Sequence, residues 1–467
     1  MNNYLYIYPP INIVEYHIAG NKTLILQSYE QQVKHRVTGG KEYEINEIAL
    51  EILMKFDGTR TYQDIINYFS EKYNETYKDV DSKVKFFIDT LSNQYGFKIK
   101  EQNIPSKQEV HFIKYSNIYP TIASIELTDK CNIKCKHCYG HFSIEKFSEI
   151  PKEKLFPLFK SLSEIGVLTV ELTGGDCSIY PYTVDAINLA FEAGIQSVMI
   201  LTNGIILNDE LVDCIEHHKE KTFVQIDLHS LDENYFDWFT GSKNTLSKVK
   251  NNIIKLIDKG IKVRVCSIIT PKNYHELLDI AEWSYNHGAI LFAPSPVVEL
   301  GRATDNDINR DLLFTNPDDF LKFNDLYKQL LEIYPGFVRN TAKSEKRNHN
   351  SCAALVSQCS IKSNGDIKLC TMDTGNYFNL NFGNVFESHI KDLYDKNKDF
   401  LNEFYNLHLP KKEMKECKDC LYIRFCEGCL LRGFLRAQDM KDKCTWYQNY
   451  IPQIVKDRFP LTINSTY

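Results

Sequence analysis

No stretch of this 467-residue chain approaches the roughly 18 consecutive apolar residues that cross a bilayer, so no membrane partner is expected. The N-terminus lacks a basic segment followed by an apolar one and contains Glu15. That excludes a secretory signal of ordinary form and points to the cytoplasm. Excess positive charge is missing as well. The formal net charge is −6, the wrong sign for a protein bound to nucleic acid by phosphate neutralisation. What remains is an ordinary globular composition, 43% hydrophobic and 25% charged. The length suits roughly two to four domains.

Cysteine, by contrast, is plentiful. Fourteen cysteines in a reducing compartment signal metal binding or catalysis rather than disulfides. Three lie at 131–138 and eight between 352 and 444. Cys177, Cys214 and Cys266 stand outside both groups and read as small buried residues.

The first group is Cys131-Asn-Ile-Lys-Cys135-Lys-His-Cys138-Tyr139, directly after the apolar, β-like run Ile122–Leu127. Three thiolates on a loop leaving a strand can hold three irons of a four-iron cluster. The fourth iron is left open for a chelating sulfonium. Zinc sites usually pair two C-x2-C knuckles with a fourth ligand at a typical distance. Here the first gap is three residues, and His137 is the only nearby candidate for a fourth ligand.

This loop resembles the signature of the radical S-adenosylmethionine (SAM) enzymes. The resemblance implies a [4Fe-4S] cluster on Cys131, Cys135 and Cys138, with SAM on the open iron. His137 then stands where the family places a planar residue near the adenine, with Tyr139 beside it. Reduction of the cluster would cleave SAM to methionine and a 5′-deoxyadenosyl radical.

The surrounding sequence alternates strands and helices. Strands are expected at Ile122–Leu127, Leu168–Leu172, Ser197–Leu201, Phe223–Leu228, Val263–Ile268 and Ile290–Phe292. Six such units over 110–301 predict a partial (β/α)6 TIM-like barrel with its chemistry at the carboxyl ends of the strands. Thr173-Gly174-Gly175-Asp176 ends the second strand. Glycines permit close backbone approach, and the resemblance assigns Asp176, in place of the family's Glu, to the SAM ammonium. Asn203, in Thr202-Asn203-Gly204, ends strand three and resembles a family turn facing the cofactor. Arg264 on strand five could fork onto the SAM carboxylate. Strand four reads Ile226-Asp227-Leu228-His229-Ser230 where relatives commonly have Ile-Ser-Leu-Asp. Asp227 can accept from the ribose hydroxyls, and His229 reads as a hydrogen-bonded wall rather than a general base.

Residues 1–103 form a separate unit. Strands are expected at Ile11–Ile18, Thr23–Gln27 and Gln32–Val37, and a helix capped by Asn46 that stops at Asp57-Gly58. A second helix starts at Thr61 and a third runs through Val84–Leu91 to Gly96. The β-β-β-α-α-α order is winged-helix-like. The stretches Glu44–Leu53 and Asp57–Ile66 resemble the PqqD-like recognition domain of peptide-modifying enzymes. The resemblance implies that a leader peptide adds as a strand beside the third strand and first helix.

Residues 302–350 are polar, carry no motif and read as a helical bridge, with a helix at Asp318–Ile333. Residues 351–450 hold Cys352, Gly365-x4-Cys370, Cys417-x2-Cys420-x5-Cys426-x2-Cys429 and Cys444. A zinc ribbon wants roughly 15–20 residues between its C-x2-C pairs, and here five separate them. The spacing resembles the SPASM domain, which implies two auxiliary [4Fe-4S] clusters, making three in all. The resemblance gives the second to Cys417, Cys420, Cys426 and Cys444, and the first to Cys352, Cys370 and Cys429. Gly365 would turn a hairpin between the strands that present Cys352 and Cys370. Cys359 is either a fourth ligand of the first cluster or leaves it an open iron for a substrate thiolate. Residues 451–467 read as a surface-packed or frayed tail.

From 1 to 444 the pattern looks most like the subtilosin-type sactisynthases. These join a cysteine sulfur to a peptide carbon of a ribosomal precursor. The expected function is therefore radical maturation of a leader-bearing precursor peptide, with ferredoxin or flavodoxin as electron donor. Another radical peptide modification (a β- or γ-thioether, a carbon–carbon link, epimerisation) stays open. So does a non-catalytic iron–sulfur regulator with a winged-helix module.

Overall fold

The computed structural model describes residues 3–8, 11–18, 21–28, 43–95, 97–108, 111–115, 118–145, 147–304, 311–339 and 352–461. The chain divides into two compact units, Met1–Ile118 and Tyr119–Tyr467.

The first unit contains β1 (Tyr4–Tyr8), β2 (Ile11–Ile18), β3 (Asn21–Ser28), β4 (Tyr43–Ile45), α1 (Glu47–Leu53), β5 (Asp57–Thr61), α2 (Tyr62–Tyr73), α3 (Tyr77–Tyr95), β6 (Lys98–Gln102) and β7 (His111–Tyr115). Asn46 starts α1 because its side-chain oxygen accepts the Ala49 N–H at 2.8 Å. Thr61 and Asp64 start α2 as a reciprocal capping box. Leu53, Phe56, Ile65 and Ile66 are fully buried beneath these helices.

The expected order of three strands then three helices is corrected by the pairing. Asp57–Thr61, expected as a helix stop, is a strand because it pairs with β1, which sequence periodicity missed. The strands form two sheets, β5-β1-β6 and β4-β3-β2-β7. The strand expected at Gln32–Val37 lies outside the described residues.

The second unit runs β8 (Ile122–Thr128), α4 (Lys152–Glu164), β9 (Thr169–Gly174), α5 (Thr183–Glu192), β10 (Ser197–Thr202), α6 (Asp209–His217), β11 (Thr222–Asp227), α7 (Glu233–Thr240), α8 (Leu246–Asp258), β12 (Lys262–Ile269), α9 (Leu277–Asn286) and β13 (Leu291–Pro296). All seven residues of β8 are buried, as expected for a parallel strand covered on both faces. The sheet order β13-β12-β11-β10-β9-β8 follows the chain, and each of these pairs is parallel. This is the α/β architecture expected for 110–301.

After α10 (Pro317–Ile333) come β14 (Gln358–Ile361) and β15 (Ile367–Lys368). β14 lies parallel to β8, with Gln358 opposite Ile122 and Ile361 opposite Ile125. The C-terminal region thus begins as a seventh parallel strand of the barrel sheet, an attachment not legible in the cysteine spacing. Gly365 turns the β14–β15 hairpin at φ +91°, where a Cβ would meet the Phe386 ring at 2.5 Å. The short helices α11 (Ile390–Lys396), α12 (Lys398–Tyr405), α13 (Ile423–Cys426), α14 (Leu430–Met440) and α15 (Thr445–Tyr450) follow. The tail is packed as far as it is described: Phe459 is buried and its ring stacks on Phe434 at 4.3 Å.

Candidate radical site and auxiliary thiol sites

The loop after β8 is held by the barrel on several sides. The Lys134 and Lys136 N–H groups donate to the Thr240 and Phe239 carbonyls at the end of α7, at 3.1 and 2.9 Å. The Arg302 side chain donates from Nε to the Cys135 carbonyl at 2.8 Å and from Nη1 to the Phe142 carbonyl at 3.0 Å. Its backbone N–H donates to the Cys138 carbonyl at 2.9 Å. At Gly301 a Cβ would lie 2.4 Å from that same carbonyl oxygen. Sequence reasoning assigned no motif to 302–350, and Arg302 corrects it. The available signal was Gly301-Arg302 just beyond the sixth strand.

The loop's thiols are close enough to perturb one another. Burial pushes the Cys131 thiol up to about 12, with Asp176 and Cys138 adding to it. Cys135 is raised well above the ordinary range by burial, then by Cys138 and Cys131. Thiols buried together are hard to ionise unless a cation sits among them. A metal reverses that balance and deprotonates them, so the donor set fits an iron–sulfur group.

His137 stacks on Phe239 at 4.5 Å and 15°, and meets His229 edge-on at 4.9 Å. Burial lowers its pKa to about 3, so the ring is neutral. Its Nδ1 is buried without a hydrogen-bond partner among the described residues. A bound molecule could meet that nitrogen. His229 is a wall residue: its Nδ1 accepts the Ile268 N–H at 3.1 Å, which puts any ring proton on Nε2.

The glycine turn packs against the same loop. A Cβ on Gly174 would lie 2.1 Å from the Thr128 carbonyl oxygen, and one on Gly175 2.1 Å from that of Lys130. Asp176, the residue expected at the SAM ammonium, is buried. One carboxylate oxygen accepts the Ser178 N–H and hydroxyl at 2.8 and 2.7 Å and the Thr202 hydroxyl at 2.9 Å. The other accepts the Asn203 N–H at 2.9 Å. Both oxygens are engaged inside the protein, so this carboxylate ties the end of β9 to the end of β10. Asn203 in turn donates to Asn132 in the cysteine loop at 2.7 Å.

Asp227, at the end of β11, is raised to about 7 by burial. Arg264, the third residue of β12, is buried, and its guanidinium donates to the Gln225 amide oxygen. Tyr139 is half-buried, with its hydroxyl 3.4 Å from Glu126.

The C-terminal thiols separate into two groups. Cys417, Cys420, Cys426 and Cys444 line one cavity of about 260 Å³ with Arg436 and Trp446 on its wall. Cys352, Cys370 and Cys429 form the other. The Cys370 thiol is pushed up to about 12 by burial and then by Cys352, Asp373 and Cys429. Cys359 belongs to neither. It is fully buried in β14 beside Ala123 of β8, and its side-chain partner is the Tyr394 hydroxyl. Of the two alternatives left open by the sequence, this arrangement leaves the first auxiliary group with three thiols.

Thiol groups at the carboxyl end of a parallel α/β barrel and again beyond it define an iron–sulfur protein of the barrel class. Residues 125–284 match the radical SAM superfamily, and residues 352–421 match SPASM, an iron–sulfur cluster-binding domain. The protein is a radical SAM enzyme with a SPASM domain. SAM, a four-iron cluster and auxiliary iron–sulfur clusters are its cofactors.

It is 26% identical over 414 residues to the antilisterial bacteriocin subtilosin biosynthesis protein AlbA of Bacillus subtilis (strain 168), spanning 87% of this chain and 88% of that one. It is 28% identical over 186 residues to the sporulation killing factor maturation protein SkfB of the same strain, 40% of this chain and 45% of that one. Streptococcus suis SuiB, solved bound to precursor peptide SuiA, shares the fold with a TM-score of 0.63 at 15% identity, over 96% of this chain and 99% of that one. No helix among the described residues is long and apolar enough to cross a membrane.

Proposed function

We propose that this enzyme matures a ribosomally made precursor peptide by joining a cysteine sulfur to a peptide carbon. The observation that carries the reading is the three-thiol group Cys352, Cys370 and Cys429, with Cys359 turned away onto Tyr394. A cluster held there has a position free for a substrate thiolate, and thiols bind metal deprotonated. Likeness to a bacteriocin biosynthesis protein over 87% of the chain supports the substrate class.

Cys131, Cys135 and Cys138 would hold the barrel cluster, and Cys417, Cys420, Cys426 and Cys444 the second auxiliary one. When bound, the barrel cluster and SAM supply a 5′-deoxyadenosyl radical that takes a hydrogen from the peptide. The chain's own contribution is orientation and water exclusion. Arg302 and the α7 carbonyls fix the loop, and His137, stacked on Phe239, would wall the adenine. Gly174, Gly175 and Asn203 would shape the turn at the methionyl end, Asp227 would accept from the ribose hydroxyls, and Arg264 holds Gln225 lower in the barrel. The leader would add as a strand to β4, the sheet edge that leads into α1. A small one-electron carrier such as ferredoxin or flavodoxin would reduce the barrel cluster.

The test is anaerobic incubation of the reconstituted enzyme with SAM, reductant and the precursor encoded beside it. A loss of about 2 Da per cross-link, two hydrogens, is expected as sulfur replaces a C–H bond. Unchanged mass with deuterium uptake would instead identify an epimerase.

A further inference from the structure

Between the barrel loop and the three-thiol group lies a buried charge pair that the proposed chemistry does not use. Lys368, the last residue of β15, contacts Glu126 of β8, and their side chains are 2% and 5% exposed. The Lys368 ammonium also donates to the Thr371 carbonyl at 3.2 Å and lies 5.4 Å from the centre of the Tyr139 ring. Tyr139 follows Cys138, and Thr371 follows Cys370. The Tyr139 hydroxyl is raised first by burial, then by Glu126 and by the Cys138 and Cys370 thiols. This one ring is therefore near a thiol of each group. Asp373, the other carboxylate facing Lys368, is buried and engaged by the Leu369 and Gly375 N–H groups at 3.1 and 2.8 Å.

A buried ion pair is poor value as a stabiliser, since apolar residues of like volume often serve as well or better. Its placement calls for another role. We propose that Lys368 is a positioning residue that joins the barrel cysteine loop to the Cys352/Cys370/Cys429 group and provides a fixed positive charge favouring electron uptake there. Each electron added to an iron–sulfur group adds negative charge, and a nearby cation in a low-dielectric setting favours the reduced form. The inference rests on the proposed chemistry in one respect. When a thiolate joins a carbon radical, one electron is left over, no proton moves, and an oxidised auxiliary cluster would be the acceptor.

The test is an EPR-monitored redox titration of the reconstituted enzyme without peptide, so its outcome does not depend on which product is formed. The variants are Lys368→Met, Lys368→Arg, Glu126→Gln and the double variant Glu126→Gln/Lys368→Met. Lys368→Met leaves two carboxylates buried and can fail to load metal. The double variant removes one of them and keeps the volume. Expected are a midpoint potential for one auxiliary cluster that is more negative in the double variant than in Glu126→Gln, more positive in Glu126→Gln than in wild type, and near wild type in Lys368→Arg. Unchanged potentials and spectra in the double variant and in Glu126→Gln would overturn the proposal, whatever the peptide product proves to be.

Discussion

The two regions that gather thiols do so by different means. The barrel loop is held by contacts from the rest of the barrel. Three cysteines within eight residues are fixed by carbonyl contacts from α7, by Arg302 and by the glycines at 174, 175 and 301. The group at 417–444 is a run of turns and short helices around a cavity lined by its own cysteines. At the barrel, secondary structure positions the donors. In the C-terminal group, metal would supply much of the local core, so binding and folding are coupled there. Removal of iron should therefore leave the barrel ordered while the 411–444 segment gains proteolytic sensitivity. Limited proteolysis with and without chelator measures this, and equal protection in both states would break the contrast.

The largest expected effect is Cys131→Ala. Formation of 5′-deoxyadenosine should be lost altogether while the auxiliary iron is retained, as read by product analysis and iron content. Next is Arg302→Met, which removes the side-chain braces on the Cys135 and Phe142 carbonyls. Displacing a reacting group by about 1 Å can cost about 100-fold in rate, and a decline of that order in 5′-deoxyadenosine formation is expected, with the barrel still folded by circular dichroism. A rate equal to wild type would show that the braces are redundant.

Cys359→Ala should behave in the opposite way. It should lower stability by about 1–2 kcal/mol, as a small buried truncation beside Tyr394, whose hydroxyl keeps its bond to the Leu355 carbonyl at 3.0 Å, and leave the iron content unchanged. Denaturant unfolding and iron analysis measure the two parts. Loss of one cluster's worth of iron would place Cys359 among the ligands.

The smallest effect concerns pH. Burial, and then proximity to His137, holds the His229 pKa well below its ordinary value. The unfolded chain titrates near pH 6.5, so it takes up a proton that the folded state refuses. Stability is therefore complete above about pH 6.5 and falls below it, by at most about 1.4 kcal/mol per pH unit for this group. In His229→Asn the acid slope between pH 6.5 and 5.5 should be shallower. Identical slopes would show that His229 does not titrate on unfolding.

Much of this contrast was legible in the sequence. Strand periodicity placed all six barrel strands to within a residue or two at most ends, because buried parallel strands are runs of apolar residues. The cysteine spacing separated the barrel loop from the C-terminal group. What was not legible depends on pairing between distant segments. Asp57–Thr61 becomes a strand only because β1 lies beside it, and Gln358–Ile361 extends the barrel sheet only because β8 has a free edge. The Ser178, Thr202 and Asn203 donors that hold Asp176 cannot be read from a Gly-Gly-Asp turn. Cys359 differs from the neighbouring cysteines only in its partner, Tyr394, which lies 35 residues further along.

The most direct test of the three-thiol group uses the Cys131→Ala/Cys135→Ala/Cys138→Ala enzyme, in which only the auxiliary clusters remain to be observed. EPR spectra of the reduced protein would be recorded alone, with the cysteine-bearing precursor, and with a precursor whose cysteines are serines. A free position on the cluster at Cys352, Cys370 and Cys429 predicts a changed spectrum with the first peptide and none with the second. The same spectrum in all three samples would mean that this cluster offers no site to a substrate sulfur.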